Sequence, residues 1–318
     1  MELIKQLQRY RDELGIHRLP NHDRTYLTSL VARSAELEVA RRIDNSHALG
    51  ADPVTDDMVV QLALSLNHAY ERMIQHVNWC SEITPELIEE VAQLTMDTNF
   101  GFNGGKFREF NLPAPVEGRS FSDHTRIVDD LHQLCATINT RRSQARIMTM
   151  AQAYELAYDT HSRMMDISPW PNGNDMMARL VMNWVEYDFH LLPSRISAEE
   201  VKSYVAAMRS AHHDNNHRAF RQYMDHINTA HIRNEIDAFI ARAAPSTTDP
   251  VHYKPIKTRD KILFLLREDP TLSATQLAYK VGFSAKCIEK HLIRMRQEGT
   301  LSREGNTRSG HWVINEKA

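Results

Sequence analysis

Residues 167–179 read Ile-Ser-Pro-Trp-Pro-Asn-Gly-Asn-Asp-Met-Met-Ala-Arg, and this stretch carries most of what the sequence indicates about the fold. Turn-forming residues fill its first half, and a helical pattern of apolar residues begins near Asp175. A glycine-containing turn before a helix points backbone N–H groups outward and adds the positive end of the helix dipole, which favours an anion. The same letters also describe an ordinary turn and helix cap, so both interpretations stay open here.

The wider segment resembles the signature loop of Fic (Fido) domains, His-Pro-Phe-x-Asp/Glu-Gly-Asn-Gly-Arg-x-x-Arg. The positions that match are Pro169, Trp170 as the aromatic residue, Gly173, Asn174 and Arg179. The flanks add to the likeness, because residues 105–108 read Gly-Lys-Phe-Arg and resemble the Gly-Lys-Tyr-Arg entry to the target-docking flap of that family. The resemblance covers residues 25–225.

Four positions depart from the family pattern. Ser168 replaces the catalytic histidine, Asn172 the acidic metal ligand, Asp175 the second glycine and Met176 the first arginine. A serine hydroxyl has no accessible basic form near neutral pH unless a neighbour activates it. An asparagine can offer a carbonyl to a hard cation but brings no charge. Met176 removes a cationic contact to phosphate and Asp175 adds a negative charge, so three of the four changes work against binding of a polyphosphate with Mg²⁺.

The resemblance implies a reaction and the roles of the loop residues. In that family the histidine takes the proton of a Ser, Thr or Tyr hydroxyl of a target protein, which then receives AMP from ATP. The resemblance assigns cofactor binding, for ATP with Mg²⁺, to Asn172, Gly173, Asn174 and Arg179, and it puts Ser168 at the catalytic position. Given the four departures, we expect a degenerate transfer site, and a divergent protein adenylyltransferase is the alternative.

A second motif, Ser34-Ala-Glu-Leu-Glu38, resembles the inhibitory helix Ser/Thr-x-x-x-Glu-Gly/Asn of many Fic proteins. Ser34 and Glu38 match this pattern, whereas Val39 departs from it. In the family the glutamate pairs with the last arginine of the signature, which is Arg179 here. A plain exposed helix face is the alternative interpretation of so short a motif.

Residues 106–121 carry alternating apolar residues among prolines and glycines, which is typical of a short hairpin or flap. The resemblance implies that such a flap captures a target protein, with Phe107, Arg108 and Phe110 on the docking surface. Main-chain hydrogen bonds of an added edge strand would then align the target. The alternative is that the aromatic residues pack in the core.

Histidines at two places in the sequence could carry chemistry. One lies near the signature loop, and the others have a spacing that is typical of metal ligands. His161 precedes Ser168 by two helical turns, and we interpret it as a structural or surface histidine and not as a replacement base. His213 and His217 have a spacing that can hold a metal on a helix face, but no cysteine or glutamate nearby completes a site. We therefore predict a solvated polar turn around His212–His217 and no metal site.

Composition bounds the remaining possibilities. The chain of 318 residues is 42% hydrophobic and 25% charged, as in ordinary globular proteins, and no apolar run reaches the length of about 18 residues that a membrane span needs. Its three cysteines, Cys80, Cys135 and Cys287, are widely separated and odd in number. This usage predicts a cytoplasmic protein without structural disulfides.

The patterns predict a mainly α protein with two domains. Residues 1–243 are expected to form a Fic-like helical bundle (core 25–225) with a short β-hairpin flap, and residues 244–256 to form a linker. Residues 257–318 resemble a winged helix-turn-helix domain, with helices over 258–267, 274–281 and 285–298 and strands near 301–303 and 311–314.

The charge of the chain is unevenly distributed. Residues 254–318 contain 13 Lys and Arg against 7 Asp and Glu, a net charge of +6, whereas the whole chain carries −3. A basic domain of this kind suits a nucleic-acid partner. The residues predicted to contact DNA lie on the third helix and the wing: Lys286, Lys290, Arg294, Arg303 and Arg308. A protein-docking role for this domain is the alternative, and a homodimer is left open.

Overall fold

The computed structural model describes residues 24–49, 56–95, 102–114, 120–145, 147–213, 217–243, 258–281, 285–305 and 310–315. Within these ranges, residues 24–243 form one compact unit and residues 258–315 form another. The predicted linker 244–256 lies outside the described residues.

The first unit consists of α-helices joined by irregular segments. Its helices in the described residues are α1 (Arg24–Leu49), α2 (Asp56–Asn78), α3 (Pro85–Thr95), α4 (Ile127–Ser143), α5 (Met150–Ile167), α6 (Asn174–Asp188), α7 (Val201–His213) and α8 (Arg218–Ala243). The apolar spacing of the sequence predicts seven of these to within a few residues. It gives α8 no separate span, although Phe220, Met224 and Ile227 follow the helical spacing there.

Helix α6 is the centre of the first unit. All fifteen of its residues are buried, and it packs most extensively against α5 and also against α2. Helix α5 begins with a capping box in which Thr149 and Gln152 satisfy each other's backbone N–H groups. It ends at Ser168, and α6 begins after Gly173, so the signature turn 168–173 connects the two most closely packed helices.

The segment predicted to form a hairpin flap has no strand in its described residues. Residues 102–114 and 120–123 form turns, bends and irregular backbone, and they contain no strand in the described ranges. Alternation of apolar residues alone suggested strands there. The prolines at 113 and 115 remove backbone donors that a strand pairing would use, and the segment is tied down by side chains instead.

The second unit contains α9 (Thr258–Glu268), α10 (Ala274–Val281), α11 (Ala285–Gln297) and the strands β1 (Leu301–Glu304) and β2 (His311–Ile314). The strands pair antiparallel, with Leu301 opposite Ile314. Trp312 closes the core, because its indole N–H donates to the Leu272 carbonyl at 3.0 Å and its backbone N–H to the Pro270 carbonyl at 2.7 Å. The order of elements agrees with the sequence pattern, and the winged-helix assignment remains a prediction.

No helix in the described ranges has both the length and the apolar character needed to cross a bilayer. All three cysteines are free thiols.

Candidate functional site

The site begins at Ser168, the residue that ends α5. Its backbone is left-handed (φ 46°, ψ 66°), and its backbone N–H donates to the Met164 carbonyl at 2.8 Å. The hydroxyl donates to the Met165 carbonyl at 2.6 Å and is almost fully buried. The side chain is thus turned back onto its own helix and is held there as a hydrogen-bond donor.

The turn that follows is closed by Asn174. The side-chain oxygen of Asn174 accepts from the Trp170 N–H at 2.9 Å, and its amide donates to the Trp170 carbonyl at 2.8 Å. Gly173 precedes the helix with φ 75°, a conformation that a residue with a Cβ adopts only at a cost. Both functions of the Asn174 amide are therefore used within the turn, and of the residues 172–174 only Asn172 is exposed.

Arg179, the retained signature arginine, lies inside the protein. Its Nη1 is 2.7 Å from Oδ2 of Asp175, one helical turn earlier, and its guanidinium lies 5.7 Å from the centre of the Tyr204 ring. Its Nη2 is 3.7 Å from Oε2 of Glu38 on α1. Burial by itself lowers the pKa of Arg179, but Tyr204, Asp175 and Glu38 raise it above its ordinary value, so the group stays charged.

The Ser34–Glu38 motif faces this arginine. Ser34 and Glu38 are both buried, on the side of α1 turned towards the protein interior. The distance of 3.7 Å between Glu38 and Arg179 is the proximity that the resemblance implies. The motif is therefore not a plain exposed helix face. Its inhibitory role stays a prediction, since a buried carboxylate–arginine pair can equally be a structural tie.

Arg108 is predicted to lie on an exposed docking surface, whereas the structure places it inside the protein. Its side chain is only 3% exposed. The guanidinium donates to the carbonyls of Ser168 at 2.8 Å, Phe110 at 2.7 Å and Ile167 at 3.2 Å, and also to that of Ser122. Burial lowers the pKa of Arg108, although Asp123 opposes this. Arg108 thus fixes the flap segment to the signature turn.

The two phenylalanines of the flap have different environments. Phe107 is half-buried and packs against Trp170, with ring centres 5.8 Å apart, whereas Phe110 is 53% exposed. The indole N–H of Trp170 donates to the Gly105 carbonyl at 2.7 Å. Gly105 has φ 79°, and a Cβ there would lie 2.6 Å from the backbone nitrogen of Gln93. The flap entry therefore requires a glycine at this position.

His161 is a structural side chain, as the sequence interpretation has it. It is fully buried, its Nε2 lies 2.8 Å from the Tyr204 hydroxyl, and its ring stacks on Phe220 at 4.3 Å. These contacts hold the ring within the core, next to Tyr204, whose hydroxyl also accepts from Arg179 at 3.4 Å.

His212 and His217 differ from the prediction of a solvated polar turn. His212 is buried, and its Nδ1 lies 2.7 Å from Oδ1 of Asp166; Nε2 of His217 lies 3.1 Å from Oδ2 of the same carboxylate. Asp166 also accepts, through its backbone carbonyl, from the Ser122 N–H at 3.1 Å. His212 and His217 therefore form a polar junction with Asp166, whereas His213 is exposed and residues 214–216 of the predicted solvated turn lie outside the described residues. No sequence signal marks the junction, because Asp166 is 46 residues from His212. Within the described residues, no cluster of metal-ligating side chains forms here or elsewhere.

The architecture can be compared with solved structures. A Fic domain containing signaling protein from Bacteroides thetaiotaomicron matches with a TM-score of 0.57 and 19% identity, over 78% of this chain and 100% of that chain. A structure of Fic-1 from C. elegans matches with a TM-score of 0.54 and 18% identity, over 76% of this chain and 73% of that chain. The chain has the Fic fold. At these identities the likeness establishes the fold alone. No family model matches the sequence, and neither does any curated protein sequence.

The loop residues on this Fic fold do not fit ATP with Mg²⁺. Asn172 offers no charge to a cation, and Met176 places a fully buried apolar side chain where the Fic signature has an arginine. Arg179 is already balanced by the buried carboxylates of Asp175 and Glu38, so it has no free positive charge for a phosphate. Binding an anionic phosphate would require these carboxylates to separate from Arg179 or to take up protons.

Basic residues of the second unit lie outside the Fic-like part. Lys286 and Lys290 of α11 are exposed. Arg294 is exposed too, but its Nε donates to Glu298 at 2.9 Å. The guanidinium of Arg303 on β1 lies 4.9 Å from the centre of the Trp312 ring, which holds it against the sheet. Arg308, the other predicted wing contact, lies outside the described residues.

Proposed function

We propose that this protein is a regulatory DNA-binding protein in which a Fic-fold unit without AMP transfer is joined to a basic unit that binds duplex DNA. One observation carries the DNA-binding part. Helix α11 buries Ile288, Leu292 and Met295 on one side and exposes Lys286 and Lys290 on the opposite side. A helix with one buried face and one exposed basic face suits the major groove, which admits a helix.

The charge of the unit supports the same proposal. The net +6 of residues 254–318 contrasts with about −9 for the rest of the chain, as follows from the total of −3. Phosphate neutralisation by Lys and Arg releases counterions, and this release dominates the affinity of DNA-binding proteins. The acidic remainder of the chain has no comparable attraction for a polyanion.

Three contacts support the absence of AMP transfer. The Ser168 hydroxyl is committed as a donor to Met165, the Asn174 amide is committed to its own turn, and Arg179 is paired with buried carboxylates. Loss of a general base alone costs on the order of 10²–10⁴-fold in rate.

The second candidate is a divergent protein adenylyltransferase. One observation favours it: Gly173 keeps the left-handed turn that opens α6, and the first N–H groups of a helix attract anions. Incubation of the full chain with labelled ATP, Mg²⁺ and cell lysate distinguishes the two candidates. We expect no strong protein labelling, and none after Ser168→His, because Met176 and Asp175 are unchanged. Strong labelling by the unmodified chain would establish the second candidate.

Duplex binding by the full chain tests the DNA-binding part. We expect a complex at about 50 mM salt whose affinity falls steeply as salt rises. Lys290→Ala should weaken it several-fold, whereas Lys202→Ala, a change at an exposed lysine of α7, should leave it unchanged. No complex at this salt concentration would turn the interpretation towards protein docking.

A further inference from the structure

The exposed face of α11 contains an apolar residue beside its lysines. With 100° of rotation per residue, Lys286, Lys290 and Ile293 fall within an arc of about 60° that lies opposite the buried face of the helix. Ile293 is 53% exposed. Among the described side chains of the second unit, it is the only large hydrophobic one that is exposed; the others are buried or half-buried. A single exposed apolar residue is ordinary, so its position in the basic face is the informative fact.

The two margins of this face carry different charges. Arg294 lies about 40° beyond Lys290, and Oε1 of Glu298 accepts from it at 2.9 Å. Oε2 of the same carboxylate accepts from Arg259 of α9 at 2.5 Å. Two guanidinium groups thus share one carboxylate and leave a net positive margin, which suits a phosphate. On the other margin the exposed Glu289 and Arg296 carry opposite charges, so that margin has no net charge and attracts phosphate less, which favours one orientation of the helix in a groove.

The spacing of the three residues matches the spacing of base pairs. Seven residues separate Lys286 from Ile293, a rise of about 10 Å along the helix. At about 3.4 Å per base pair this distance spans about three base-pair steps. Lysine recognises the guanine O6 and N7 acceptors in the major groove, and an apolar side chain recognises the thymine methyl group.

We infer that Lys286, Lys290 and Ile293 form the sequence-reading strip of α11, in which the lysines contact guanines and Ile293 contacts the C5-methyl group of a thymine next to them. This inference rests on the proposed DNA binding and adds its specificity. Arg294, held by Glu298, contacts phosphate and contributes affinity without sequence preference.

Selection from a pool of randomised duplexes with the full chain gives the site, and replacement of its thymine by deoxyuridine removes only the methyl group. We expect the selected site to contain guanines within about three base-pair steps of a thymine. Deoxyuridine at that thymine should weaken binding of the unmodified chain about fourfold, as expected for one buried methyl group. The same replacement should have no effect on the Ile293→Ala variant, which has lost the contact.

Lys290→Ala serves as the matched control on the same helix. It should weaken binding to the thymine and deoxyuridine duplexes by the same factor and keep their fourfold difference. Because Ile293 and Lys290 are both exposed, neither variant threatens the fold.

The outcomes separate the inference from the function on which it rests. Duplex binding that ignores the methyl group, or a methyl effect that persists in Ile293→Ala, overturns the reading strip and leaves DNA binding intact. Absence of binding to every duplex, with the second unit folded by circular dichroism, overturns both.

Discussion

Replacing Arg108 by alanine should destabilise the Fic-fold unit by about 3 kcal/mol. Of the four carbonyls that accept from this guanidinium, those of Phe110 and Ser122 lie in partly exposed residues and can regain water. Those of Ile167 and Ser168 belong to buried residues. Each buried carbonyl left without a donor costs about 1–3 kcal/mol, so the two together account for the estimate.

Urea denaturation of the full chain measures this change, and amide exchange shows where it acts. Exchange should accelerate in residues 102–110 and 120–123, the segments that Arg108 holds, and much less in the second unit. Arg108→Lys should be intermediate, because an ammonium group lacks the planar fork that reaches several carbonyls. Lys106→Ala, two residues away and exposed, should change stability by less than about 0.5 kcal/mol. A value that small for Arg108→Ala would refute the reasoning.

Two further predictions concern backbone space and a buried carboxyl. Gly105→Ala should destabilise by about 3 kcal/mol through the clash with Gln93 and left-handed strain, whereas Gly104→Ala, with φ 70° and open space, should cost about 1 kcal/mol; equal losses in thermal denaturation would exclude the clash. Burial raises the pKa of Glu186 from 4.5 to about 7 despite hydrogen bonds from Ser194 and Asn183. Because the carboxyl of Glu186 holds its proton more tightly in the folded chain than in the unfolded chain, protonation stabilises the folded state. This contribution is complete below about pH 4.5 and is lost as the pH rises through 7. The loss is about 3 kcal/mol, and Glu186→Gln should remove it from a stability–pH curve; a variant curve parallel to that of the unmodified chain would contradict this assignment.

The sequence predicts the helices well because most of them have one buried face, and three- and four-residue spacing records that face directly. It also predicts the pairing of Glu38 with Arg179, since two matched motifs imply it. It fails where burial is decided by distant segments. Arg108 reads as a surface charge within its own segment, and only the carbonyls of residues 167, 168 and 122 explain its burial.

The junction at Asp166 fails for the same reason. Its partners are His212 at the end of α7 and His217 just before α8, and the local composition around them is polar. A pattern search therefore assigns them to solvent. The sequence also does not reveal that the signature turn is closed by its own hydrogen bonds. The side chains of Ser168 and Asn174 could bond either to a ligand or to the neighbouring backbone, and the sequence does not decide between them.

The complete burial of α6 has a consequence for the divergence of such chains. At the apolar positions of this helix, packing constrains the total volume of the side chains, and many combinations of apolar residues can supply that volume. Its buried polar residues, such as Arg179 and Glu186, are constrained instead by their ion pairs and hydrogen bonds. The apolar residues of this helix can therefore change together over evolution while packing keeps the position of its backbone. The fold of such a chain therefore persists longer than its recognisable sequence similarity.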